Sequence, residues 1–103
     1  MDIPKAQIEQ GVCTIIFNRD FSFENIAGLE QLVTKYKKAD KFLIDISDIK
    51  TVDAVNVSFL GALLEIRTIV SQREEIYLVN VPEEIKSQLT RLCLDKLFKG
   101  ISD

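Results

Sequence analysis

Few side chains in this sequence could do covalent or metal chemistry. Among 103 residues there is no histidine. That removes the commonest general base, the commonest zinc ligand and every Ser–His or Cys–His arrangement. The two cysteines, Cys13 and Cys93, have no CxxC spacing. Both have apolar neighbours, in Val12-Cys13-Thr14-Ile15 and Leu92-Cys93-Leu94, so both are expected to be reduced and buried as packing residues. The four glycines, at 11, 28, 61 and 100, form neither GxxxxGK[ST] nor GxGxxG, so no phosphate loop is present. Asp45 and Asp48 follow an apolar run and are expected to end a strand; no carboxylate spacing suits a metal. No cofactor and no enzyme activity are expected. What remains is a series of polar, partly turn-like residues from Ser47 to Asn56, ahead of a helical pattern. Asn56 is the best helix N-cap in the stretch, which puts Val57 first and Ser58 second in the helix that follows.

The elements that must position this series can be read from period and punctuation. The chain is one domain over residues 1–103, with a mass of 11.7 kDa and too little length for a second core. Residues 5–9 alternate weakly up to Gln10-Gly11, and residues 12–17 are β-rich, which predicts an opening hairpin. Ser22 is read as the N-cap of a first helix carrying Ile26, Leu29, Leu32, Val33 and Tyr36 at helical spacing. Phe21 and Phe23 flank that cap as core or staple residues. The lysines at 35, 37 and 38 form a solvated helix end. Lys41-Phe42-Leu43-Ile44-Asp45-Ile46 is nearly continuous in apolar residues, which suits a strand covered on both faces. A second helix carries Val57, Leu60, Leu63, Leu64, Ile66 and Val70. Residues 76–81 form a further strand, and Pro82 opens a third helix at its first position, with Ile85, Leu89 and Leu92 on its apolar side. A short helical or turn segment at 94–98 precedes a possible last strand at Ile101. The order ββαβαβα implies βαβ crossovers and a sheet with parallel members.

Charge narrows the partners. Thirteen Lys+Arg against sixteen Asp+Glu leave a net charge of −3, and the pI is near 5.0. A protein that binds nucleic acid by neutralising its backbone is usually basic, so no nucleic-acid partner is expected. No apolar run reaches membrane-spanning length and no signal peptide opens the chain, so the expectation is a cytoplasmic protein without direct membrane insertion.

Three segments together resemble a STAS domain, the fold shared by bacterial anti-sigma-factor antagonists and the cytosolic tails of sulfate transporters. They are Phe42-Leu43-Ile44-Asp45-Ile46-Ser47-Asp48-Ile49, similar to the family's central strand; Gly61-Ala62-Leu63-Leu64, similar to the start of its second helix; and Tyr77 to Val81 with Leu92 to Phe98, similar to its last strand, third helix and closing turn. The likeness runs from about residue 6 to 102. It implies a STAS-type α/β fold, a mixed four- to five-stranded sheet with three main helices packed on it. It also implies a bacterial regulator of transcription acting by protein–protein interaction: an anti-sigma-factor antagonist that binds a serine-kinase anti-sigma factor, as a monomer or weak dimer.

In that family the kinase phosphorylates a serine at the start of the second helix, within Asp-Ser-Ser/Thr-Gly-Leu-Gly, at the second hydroxyl. Counted forward from Asp45, Asp53 takes the motif aspartate and Ala54 and Val55 take the hydroxyl positions. Counted back from Gly61, Asn56 takes the aspartate, Val57 the first serine, Ser58 the phosphoacceptor and Phe59 the glycine. The resemblance thus implies Ser58 as the phosphorylated residue and Asp53, Asn56, Ser58 and Phe59 as partner-facing. A phosphate on Ser58 would sit over the unpaired N–H groups of the helix start, where an anion is tolerated. Its charge of about −1.5 to −2 would face any docked partner. The altered motif also admits a second reading: a constitutive, unphosphorylated module of a lipid-transport ABC complex or a signalling scaffold.

Overall fold

The computed structural model describes residues 4–18, 26–49 and 57–100. Two strands open the fold, β1 (Lys5–Glu9) and β2 (Val12–Ile16), paired antiparallel with Glu9 opposite Val12. The two residues between them, Gln10 and Gly11, both have positive φ, 51° and 81°. Two-residue hairpins need this in the turn whose twist matches the strands. Helix α1 (Ile26–Lys35) leads to β3 (Lys41–Asp45), and α2 (Val57–Ile69) leads to β4 (Ile76–Val79). Helix α3 (Glu83–Arg91) and a single 3-10 turn (Leu94–Lys96) close the described chain.

The sheet has the order β1-β2-β3-β4, with β2, β3 and β4 mutually parallel. It is the mixed α/β sheet expected. Each new strand joins the edge left by the one before, and a crossover between parallel neighbours is right-handed. Repeating one hand in one direction puts every helix on the same face.

The register bears this out residue by residue. Cys13 lies beside Phe42 and Phe42 beside Ile76; Ile15 lies beside Ile44 and Ile44 beside Leu78. All are buried, and they form one core with Leu29 and Val33 of α1, Leu63 and Ile66 of α2, and Ile85 and Leu89 of α3. The alternate residues, Val12, Thr14, Leu43, Tyr77 and Val79, are half-buried, and Ile16 is 37% exposed. The expectation that β3 is covered on both faces is therefore corrected. Its apolar run hides an alternation in which Leu43 lies on the open side, and only Phe42, Ile44 and Ile46 reach the core.

Three smaller expectations change. The fourth strand stops at Val79, because Asn80 takes a left-handed φ of 55° that no strand continues. Pro82 is the extended N-cap of α3 and not its first helical residue; Glu83 is. Cys93 is exposed, while Cys13 is buried as expected. It follows the last turn of α3 at φ 63°, the left-handed position that ends many helices, so apolar neighbours in sequence do not decide its burial. Burial pushes the Cys13 thiol above its ordinary pKa, which keeps it protonated.

Ile101 lies outside the described residues, but a rudimentary fifth strand comes just before it. Lys99 forms a parallel bridge with Tyr77: the Leu78 N–H donates to the Lys99 carbonyl at 2.8 Å, and the Lys99 N–H to the Ile76 carbonyl at 2.9 Å. Gly100 follows at φ 90°, where a Cβ would run into the Leu78 carbonyl.

Candidate functional site

The site begins where β3 and β4 end. In a parallel crossover the helix returns antiparallel to its strands, so the N-terminal end of α2 lies toward the edge where Asp45 closes β3. Ser58 and Phe59 fall in the first turn of α2 as described. Asp53 and Asn56, like Ser22, Phe21 and Phe23, lie outside the described residues. So do Ala54 and Val55, and with them most of the loop that separates the two registers.

At the strand ends the chain builds a polar clasp. The Asp45 carboxylate accepts a hydrogen bond from the Ser47 N–H at 2.9 Å and from the Asn80 side-chain amide at 3.0 Å. Partial burial alone would raise the Asp45 carboxyl. The Ser47 N–H and hydroxyl and the Asn80 amide outweigh it and hold the carboxyl below its ordinary value. Asp45 therefore ends the strand, as its position suggests, and also ties β3 to the first residue after β4. Two backbone bonds reinforce that edge: Phe17 N–H to the Asp45 carbonyl at 3.0 Å and Ile46 N–H to the Val79 carbonyl at 3.3 Å.

Asn80 is a residue that sequence reasoning missed. It sits in an apolar stretch, Tyr77-Leu78-Val79-Asn80-Val81, and reads there as one more strand residue. The usable signal is an asparagine two positions before a proline, since asparagine tolerates left-handed φ and the proline ends the strand.

Over residues 60–64 the side chains of α2 turn mostly inward. Ala62 and Leu63 are fully buried, and Leu60 and Gly61 are half-buried. Among the described side chains there, Leu64 is the large apolar one presented outward, 43% exposed. It borders a shallow depression shared with Arg67, Thr68, Arg73 and Leu97. Arg67 is anchored, its Nε donating to the Leu97 carbonyl at 3.3 Å. This face thus joins one apolar knob to fixed cationic and hydroxyl groups.

No group of three or more potential metal ligands occurs among the described residues. No described helix is long and apolar enough to cross a membrane.

The model of one protein family, the STAS domain, matches residues 4–103. The chain is a STAS domain. Among solved structures, the NMR structure of the protein TM1081 resembles this STAS domain with a TM-score of 0.72 and 21% identity, covering 91% of this chain and 76% of that one. At that identity the likeness speaks to the fold. No curated protein matches the STAS chain by sequence. STAS domains mediate protein–protein interaction, and the exposed edge around Asp45, Asn80 and α2 is where this one places its candidate groups.

Proposed function

We propose that this STAS domain is an anti-sigma-factor antagonist: a non-enzymatic, cytoplasmic regulator that binds a serine-kinase anti-sigma factor and is switched off by phosphorylation of Ser58. The observation that carries the reading is the placement of Ser58 in the first turn of α2, within a chain that belongs to the family over residues 4–103. At a helix start an added phosphate meets N–H groups without intrahelical partners, so the phosphorylated form folds without penalty. The cost falls on the complex. A partner docked on Leu64 and the start of α2 would meet about two new negative charges. Burying such a charge unpaired weakens binding by about 2–5 kcal/mol.

The rigid edge supports this role. Asp45 and Asn80 hold the ends of β3 and β4 together, so this part of the edge is ordered before a partner arrives.

Purification of a tagged copy from its native cells, with mass spectrometry of what co-purifies, should recover a serine kinase of the anti-sigma class. That kinase should label the parent chain and not Ser58→Ala, and Ser58→Asp should bind it at least tenfold more weakly. Labelling of Ser58→Ala moves the modified residue elsewhere. Recovery of transporter subunits, with Ser58→Asp binding as tightly as the parent, replaces the switch with a constitutive module.

A further inference from the structure

The open face of the sheet carries a charge pattern that complements itself. Its side chains follow from the register. One row across the strands is Glu9, Val12, Lys41; the next is Gln7, Thr14, Leu43, Tyr77; the third is Lys5, Ile16, Asp45, Val79. The centre is apolar, with Leu43 and Thr14 in the middle row and Val12, Ile16 and Val79 around them. The charges toward the two ends alternate in sign, Glu9 and Lys41 at one end and Lys5 and Asp45 at the other. A further cation, Lys99, lies over Tyr77 at the β4 side of the middle row, 5.4 Å from the ring centroid, and is paired with Glu75 at 3.0 Å. Lys41 is held over the Tyr77 ring, 4.7 Å from its centroid, and Asp45 is held by Ser47 and Asn80, so both are already ordered.

We propose that this face is a homodimer interface, two copies packing sheet to sheet about a two-fold axis that runs across the strands through the row of Gln7, Thr14 and Leu43. That operation exchanges the two ends of the face. It brings Glu9 against Lys5 of the second copy, Lys41 against Asp45, and Val12 against Ile16, and it sets Leu43 against its own counterpart. A two-fold interface must be self-complementary in this sense, each residue meeting the one that meets it. A surface patterned for a different partner has no reason to satisfy the condition at both charged pairs. Aligned packing of twisted sheets fits the geometry, since two such sheets stack about 10 Å apart with strands roughly 30° from parallel or antiparallel.

The size of the face sets the strength. Three strands of five residues and one of four span about 19 by 17 Å, a footprint of about 300 Å² per copy. The total buried area falls below about 1,200 Å², the range of weak and transient complexes. The dimer therefore forms in the micromolar range or above, and exchanges with monomer.

Sedimentation equilibrium of the full chain tests this, with circular dichroism to confirm that each variant is folded. The parent should rise from 11.7 kDa toward twice that mass as concentration increases. Lys5 and Glu9 are exposed strand residues. Lys5→Glu sets like charges opposite each other twice in the dimer, and so does Glu9→Lys, so each alone should weaken association about tenfold. Mixed in equal amounts, the two variants restore opposite charges at both places and should associate as the parent does. Leu43→Glu should abolish association. The proposal is overturned if the parent stays at the monomer mass into the millimolar range. It is equally overturned if the parent associates but the single charge reversals leave association unchanged, or if mixing fails to restore it.

Discussion

A single hydrogen bond, from Asn80 to Asp45, joins residues 35 positions apart at the working edge of this domain. Its effect depends on pH in a direction that follows from the Asp45 carboxyl. The folded value lies below the ordinary one, so the ionised form is favoured by folding. The stabilisation is fully present above the ordinary carboxylate value and is lost as pH falls through the lower, folded value. Asn80→Gly keeps the left-handed backbone and removes the amide, and should cost about 1 kcal/mol near neutrality. Urea unfolding at a series of pH values should show that difference narrowing as the carboxyl protonates; a difference constant with pH would deny the bond its role. Ser58 could be placed from sequence because Asn56 and the spacing of Leu60, Leu63 and Leu64 fix a helix phase. Asn80 could not, since its partner is distant in the chain; the proline two positions on announces the turn and not the bond. Cys93 was misplaced for a related reason: its neighbours are apolar, but a helix end decides where it points.

At the scale of elements, β3 shows how far composition can mislead. Phe42, Leu43 and Ile44 look alike in a hydropathy profile. The pleat gives Phe42 and Ile44 to the core and Leu43 to the open face. Phe42→Ala should therefore cost about 3–5 kcal/mol by opening a cavity, whereas Leu43→Ala should cost about 1 kcal/mol or less. Chemical denaturation of both variants checks this, and equal losses would mean that Leu43 is as enclosed as its neighbours. The element order was legible because Asn56 and Pro82 punctuate the starts of the second and third helical patterns and β2, β3 and β4 are short apolar runs. Which face each strand presents was not, because that depends on the hand of the crossovers and on all helices falling to one side. The same lopsidedness leaves Leu43 and Tyr77 available to a second copy.

For the whole molecule, the controlling feature is that the strands lie in the sheet in the order in which they occur in the sequence. The surface accordingly offers two regions, the strand-end edge near Ser58 and the open sheet face, which meet at Asp45. The proposed partner would meet the first, and the proposed second copy the second. Sequential order also bears on how the chain comes into being. A hairpin of twelve residues, Lys5–Ile16, is complete before any later strand is made, and every subsequent strand docks on the free edge of what already exists. No strand has to be threaded between two others, and none waits for a partner from the far end. Assembly can then proceed strand by strand from the N-terminus onward, each parallel pair forming only after its crossover has been made. On stalled ribosomes, nascent chains ending past Val79 should already resist protease through β3. Chains ending before Lys41 should remain open to it, since the hairpin alone has no helix layer to cover its buried face.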